Sequence, residues 1–266
     1  MAKKQHSKIK QILLTGVWLG LVLGLLVVMG FVNHNRKEAK CTGLHINVDY
    51  SDDLFFVDED DVRTHIYEVA GDLIGQPIKS INISELEREV TVMNAVEKAE
   101  VFTDLKGNVT IEIIQRNPIA RVFMANGKSG YMDEDGKWMN LSNKYTARVI
   151  VINGFLPKWS EEIITDSNIN FDDKDVWSQL YLLTQTIRSD EFLNAQFEQI
   201  YVDDNGDFVL IPRVGRHSIL LGNTEQLDRK FEKLKLFYKD GIAKVDWNKY
   251  KQIDLRYKYQ IVCTKR

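Results

Sequence analysis

Hydrophobic positions divide the chain into one continuous apolar run followed by many short periodic segments. The run is Ile12–Val32, reading ILLTGVWLGLVLGLLVVMGFV, 21 residues without a charge or a proline. A helix of that length rises about 30 Å, the thickness of a bilayer's hydrocarbon core. Helix is also the form that satisfies every backbone polar group of a single segment in lipid. The pattern predicts a transmembrane signal anchor over 12–32, with a tail over 1–11 and a juxtamembrane linker over 33–40.

Past the linker the period falls to two. Leu44, Ile46, Val48 and Tyr50 alternate with His45, Asn47 and Asp49, the mark of a half-buried strand. Ser51-Asp52-Asp53 turns the chain, and Asp58 is placed to cap a helix over 59–69 whose first turn is acidic. Ser84-x-x-Glu87 reads as a capping box opening a second helix, roughly 85–94. Strands follow at 96–103 and 109–115, joined by a tight turn at Lys106-Gly107-Asn108. The order is β-α-α-β-β, and a three-stranded sheet with two helices on one face is the expected packing.

A second pattern begins at Pro118. Strands are expected at 120–125, 137–139 and 148–152, with a turn at Asp133–Gly136. A helix over 173–188 carries Val176, Leu180, Leu183 and Ile187 on one stripe. A hairpin joins 200–202 to 208–211 through Asp204-Asn205-Gly206-Asp207. A short strand over 218–221 leads into a helix over 224–239, with Asn223 as its cap and Leu227, Phe231, Leu234 and Tyr238 turned inward. The last element expected is a single strand of ten residues over 253–262. There Ile253, Leu255, Tyr257, Tyr259 and Ile261 alternate with Asp254, Arg256, Lys258 and Gln260.

Charge orients this arrangement. Residues 1–40 hold seven Lys/Arg and one acid, net +6, while the remaining 28 Lys/Arg and 37 Asp/Glu leave −9. Lys3, Lys4, Lys8 and Lys10 predict a single pass with the N-terminus in the cytoplasm and the bulk of the chain on the other side of the membrane. So acidic an exported part argues against nucleic acid, or an anionic membrane surface, as a partner held by bulk charge. Cys41 and Cys263 are read as unpaired thiols at strand ends, a disulfide between them being the alternative.

No catalytic, cofactor-binding or metal-binding residues are identified. The chain lacks His-Glu-x-x-His, Gly-x-Ser-x-Gly, a phosphate-cradling glycine loop and Cys-x-x-Cys. Asp203-x-Asn205-x-Asp207 has the start of a calcium loop, but Phe208 stands where its glycine is due and Val214 where its glutamate is due, so a hairpin turn is the better reading.

Three stretches carry a resemblance to known proteins. Val96-Glu97-Lys98-Ala99-Glu100-Val101, the run VTIEIIQRNPIAR over 109–121, and Tyr131-Met132-Asp133-Glu134-Asp135-Gly136 follow one another in this order after a signal anchor. The β-α-α-β-β unit resembles a POTRA domain, and the whole chain resembles the FtsQ/DivIB family of bacterial cell-division proteins. Leu221-Gly222 before a helix and Asp254-Leu255-Arg256-Tyr257 in the last strand also fit that family. The resemblance implies an α+β chain with a POTRA-like domain over 41–117 and a β domain over 118–266. It further implies a non-enzymatic bitopic scaffold at the division septum that helps control septal peptidoglycan synthesis, with the septal peptidoglycan synthase complex as a further contact.

The final strand is the feature without a purely structural explanation. If it lies at a sheet edge, its unpaired N–H and C=O groups offer a template for an added strand, with tyrosines setting specificity. The alternative is an interior strand with a solvated polar face. In the family the late β-domain strands bind FtsB, in complex with FtsL. Carried onto this sequence, the partner-binding residues are Asp254, Leu255, Arg256, Tyr257 and Tyr259. The sequence departs from the family after Tyr257, where Lys258-Tyr259-Gln260 replaces a glycine-bearing turn. The competing functional reading is a membrane-anchored envelope enzyme, such as a peptidoglycan hydrolase, with an acid pair assembled across the fold. A POTRA chaperone for outer-membrane assembly would require tandem repeats or a following barrel.

Overall fold

The computed structural model describes residue 16 and residues 18–27, 39–159, 175–241 and 248–266. Of the apolar run, the described residues are helical; the rest of the span expected over 12–32 lies outside the described residues, as does residues 173–174 of the helix expected over 173–188. Among the described residues no helix is long and apolar enough to cross a membrane.

Two units form. One comprises residues up to Asp49 together with Asp58–Ile114, and the other comprises Tyr50–Val57 with Gln115–Arg266. In the first, alternating burial builds β1 (Gly43–Val48), β2 (Val96–Thr103) and β3 (Asn108–Gln115) into a sheet ordered β1-β3-β2. β1 runs parallel to β3, Gly43 facing Asn108 and Val48 facing Ile113. A parallel pair needs a long crossover, here α1 (Glu59–Ala70) and α2 (Ile83–Thr91). Val62 and Ile66 of α1 and Leu86 and Val90 of α2 are buried, as are Ala99, Val109 and Ile111 of the sheet.

Asp58 caps α1 as the sequence indicates, in a reciprocal box with Asp61. The second box is displaced. Asn82 caps α2, accepting from the backbone of Glu85 and donating to its carboxylate, so the helix opens at Ile83 rather than at the Ser84-x-x-Glu87 signature. Asn82 competes successfully because asparagine caps as well as serine does.

The second unit is a mixed sheet of nine strands. These are β4 (Pro118–Phe123), β5 (Ser129–Asp133), β6 (Trp138–Met139), β7 (Ile150–Gly154), β8 (Phe197–Val202), β9 (Phe208–Pro212), β10 (Ser218–Gly222), β11 (Tyr250–Asp254) and β12 (Val262–Lys265). Their order is β12-β11-β10-β9-β8-β7-β4-β5-β6. Pairs β4·β7, β7·β8 and β10·β11 are parallel, the others antiparallel. The helices supply the crossovers: α3 (Val176–Arg188) and α4 (Glu191–Gln196) between β7 and β8, and α5 (Leu227–Leu236) between β10 and β11. Leu180, Leu183 and Ile187 of α3 share one core with Leu227, Phe231 and Leu234 of α5. Tyr238, from a single π turn over Phe237–Gly241, closes that core and hydrogen-bonds the buried His217 ring at 2.8 Å. Its burial pushes the phenol well above its ordinary pKa.

The buried Gln115 side chain ties segment 50–57 to the second unit. The Gln115 amide donates to the Leu54 carbonyl at 2.8 Å and accepts from the N–H groups of Phe56 and Val57 at 2.9 and 3.2 Å. Phe56 then packs edge-on against Tyr131 and Tyr145.

The expected single strand over 253–262 is corrected. It breaks into β11 and β12, which pair antiparallel, Ile253 facing Cys263. The chain bends at 257–259, close to where the family places its turn, without a glycine there. Three contacts divert it. The Leu255 N–H makes its bond to the Leu220 carbonyl at 2.9 Å. The Arg256 N–H then turns back to the Asp254 carboxylate at 3.0 Å. The Lys233 ammonium takes the carbonyls of Leu255 and Tyr257, pulling them toward α5 and out of the ladder.

Candidate functional site

The C-terminal end of the second sheet gathers most of the residues that the sequence singles out. β12 is terminal in the nine-stranded order, and among the described residues no strand lies on its outer side. The opposite edge, β6, is two residues long, a length that offers little to pair with. β12 is therefore the more open edge.

The bend beside it is held by an arginine clamp. Arg256 donates two bonds to the Asp254 carboxylate, from Nε at 3.1 Å and from Nη2 at 2.9 Å, and a third from Nη1 to Asp207 at 3.0 Å. Hydrogen bonding to Asp254 raises its pKa, so the guanidinium is a permanent cation. Asp207 comes from the β8–β9 hairpin, whose turn is organised by Asp203. The carboxylate of Asp203 accepts from the backbone of Asn205 and Asp207, so Asp203-x-Asn205-x-Asp207 forms a hairpin turn.

Gly222 explains the Leu-Gly step. Its φ is +77°, and a Cβ there would lie 2.9 Å from Cγ of Arg256. The glycine both makes the turn out of β10 and leaves room for the arginine stem. Gly222→Ala is expected to cost about 1–3 kcal/mol by adding left-handed strain and unseating Arg256. Chemical denaturation of residues 39–266 measures this, and a stability within experimental error of the parent would contradict it.

Between α5 and residues 255–258 lies a cleft of ≈ 270 Å³, lined by Arg229, Lys230, Lys233, Arg256 and Lys258 with Asp207 and Glu225. Burial lowers the pKa of Lys230, which donates to the Asn223 carbonyl and side chain. Burial, then the charge of Arg229, lowers that of Lys233. Arg229 and Lys258 stand over the Tyr259 ring, at 4.9 and 5.2 Å from its centre.

The five sequence-predicted site residues divide by this geometry. Tyr257 and Tyr259 are 47% and 80% exposed, on the bend rather than on a strand. Arg256 and Asp254 form the clamp. Leu255 is fully buried in the core, 0% exposed, so its side chain is corrected from a contact residue to the apolar anchor of the bend. Lys233, Arg229, Gly222 and Asp207 were not singled out as site residues. A lysine on a helix carries no signal that it will reach carbonyls 22 and 24 positions away.

No cluster of His, Cys, Asp or Glu among the described residues is arranged to hold a metal ion. Among the described residues the one buried carboxylate is Asp133. Burial raises its pKa, but it accepts from the backbone of Asp135 and Lys137 and from Arg116 at 2.9 Å. Those bonds make it the anchor of the β5–β6 turn. Cys41 is buried in the first unit, Cys263 is partly buried on β12, and both are free thiols.

A small three-stranded α+β unit followed by a mixed nine-stranded sheet, with an arginine-clamped bend at its open end, makes this a two-unit α+β chain. The POTRA-like domain model matches residues 39–114, and the model described as FtsQ/DivIB, C-terminal related, matches residues 117–264. The chain belongs to the FtsQ/DivIB C-terminal related family and is a cell-division protein. No curated protein matches it.

Proposed function

We propose that this chain is a non-enzymatic scaffold of the bacterial division machinery, anchored in the inner membrane through residues 12–32 with its N-terminus in the cytoplasm. The exported part links early and late division proteins at the septum and helps control septal peptidoglycan synthesis. Its C-terminal edge receives a strand from an FtsB-like partner that is itself bound to an FtsL-like one. The observation that carries this reading is the open edge of β12 beside the exposed Tyr257 and Tyr259. Strand addition takes its affinity from backbone pairing and its specificity from flanking side chains. Edge and aromatic pair lie within one short segment here. Anchoring is supported by the helical residues 18–27, where Trp18, Leu19, Leu21, Val22 and their neighbours are exposed. Water does not favour so continuous an apolar surface.

The experiment is in-cell photo-crosslinking from position 257, with mass spectrometry of the adduct. Capture of a small single-pass protein with heptad repeats is the expected result. A folded chain that gives no adduct from 257 or 259 would exclude this edge as the docking surface. The envelope-hydrolase alternative requires a pKa-shifted acid facing a cleft, and Asp133 is bound up in its own turn.

A further inference from the structure

The first unit has an exposed apolar lip at the end where the chain enters it. The entering segment 39–42 is clasped from two sides. Cys41 exchanges bonds with Gln76 and Gly75, and Ile78 donates to the Ala39 carbonyl. On the other side Thr42 donates from its backbone to Gly107 and from its hydroxyl to Lys106. Gly107, at φ +90°, lies so close to the Lys40 carbonyl that a Cβ would stand 2.5 Å from it. The β2–β3 turn and the 72–77 loop therefore flank the point of entry. Each presents a large apolar side chain to solvent: Leu105 is 86% exposed and Ile74 57%.

Lysines surround them. Lys40, Lys79 and Lys106 are all exposed at this end. The two carboxylates nearby are turned back onto their own loops. Asp72 accepts from Ile74, and Asp104 accepts from Lys106 and Asn108, bonds with Asn108 that hold its carboxyl below the usual range. This is the reverse of the acidic balance over the rest of the exported chain.

We propose that this lip rests on the outer surface of the membrane, with Leu105 and Ile74 in the headgroup layer and Lys40, Lys79 and Lys106 on anionic lipid phosphates. The placement depends on the anchoring of residues 12–32 proposed above. Six residues lie between Val32 and Ala39, seven steps that span at most about 25 Å when fully extended. The clasped segment cannot leave the bilayer surface by more than that, so the two tips beside it are the part of the unit held nearest to lipid. Apolar tips ringed by lysine suit an interface, where the apolar part enters the acyl boundary and ammonium groups meet phosphate. The lip would give the first unit a second attachment to the bilayer beside the anchor.

The test uses the full chain in vesicles of phosphatidylethanolamine and phosphatidylglycerol. A Cys263→Ser background carries an environment-sensitive fluorophore at Leu105→Cys, at Ile74→Cys or, as control, at Val92→Cys. Val92 is 67% exposed in the same unit. It precedes the start of β2, so it lies roughly 26 Å from the Leu105 tip along that strand. Labels at 105 and 74 are expected to shift to the blue and be quenched by headgroup-depth nitroxide lipid, while the label at 92 is not. The triple change K40Q, K79Q and K106Q is expected to reduce the quenching, as is replacing phosphatidylglycerol by phosphatidylcholine. A chain that floats with the vesicles but shows equal, water-like emission at all three positions overturns the lip and leaves the anchor standing. A chain that does not float overturns the anchor, and the lip with it.

Discussion

Tyr257→Glu is expected to abolish capture of the FtsB-like partner while leaving the second unit folded. The ring is half exposed and lies outside the core cluster. The part of Tyr257 that the fold uses is its carbonyl, which accepts from Lys233 and is the same in any residue. Stability should therefore stay within about 0.5 kcal/mol of the parent, as for surface substitutions away from special features. Binding should fall much further. Loss of a rigid aromatic anchor at an interface centre costs about 2–4 kcal/mol, roughly 30- to 1,000-fold in Kd. Calorimetric titration against the FtsB/FtsL-like complex, paired with urea denaturation of each variant, measures both. Parent-like affinity would remove Tyr257 from the interface, and a collapsed denaturation midpoint would make it a core residue.

Gly154→Val is expected to cost more than about 3 kcal/mol and to unfold the second unit under conditions where the parent is stable. Gly154 ends β7 opposite Val202 of β8, in the middle of the nine-stranded order. Its φ is +108°, and a Cβ would stand 2.2 Å from the Val202 carbonyl oxygen and 2.8 Å from its nitrogen. Neither atom can give way without breaking the bond from the Phe155 N–H to that same carbonyl. A β-branched residue at such a φ adds strain of its own. Gly206→Ala is the control. It has a positive φ of +82° but open space around the added carbon, so it should cost only about 1 kcal/mol. Thermal unfolding of the two variants side by side checks the difference, and equal midpoints would show that close approach at Gly154 is not what matters.

Local pattern made most elements legible because it reports burial directly. Leu180, Leu183 and Ile187 and the set Leu227, Phe231, Leu234, Tyr238 are buried as their periodicity indicates, while Val176, the first of its stripe, is only partly buried. The turn at Gly206 and the helix cap at Asp58 were equally visible, because turn and cap chemistry is local. What escaped was long-range. Nothing near Gln115 in the sequence indicates that its amide will tie down residues 54–57 and draw them into the second unit. The parallel pairs β7·β8 and β10·β11 depend on how crossover helices pack, and β4·β7 on a connection through β5 and β6, not on any strand's own pattern.

The C-terminal segment shows the same limit at the site. Alternation from Ile253 to Ile261 is unbroken in the sequence and reads as one strand, yet Lys233 and Asp207, both distant in the chain, turn it into a bend. Leu255 and Tyr257 would share a face on a continuous strand. In the structure one is the anchor and the other is presented to solvent. The candidate site is thus smaller than the sequence suggests, an arginine-clamped bend with two tyrosines beside a four-residue edge strand.

The most direct measurement is backbone amide hydrogen exchange across residues 39–266, with and without the FtsB/FtsL-like complex. Strand addition pairs main-chain groups, so exchange should slow at residues 262–265 and across the bend at 257–259, with β6 unchanged. Protection confined to the first unit, with β12 exchanging as in the free chain, would contradict the account and move the partner surface off this edge.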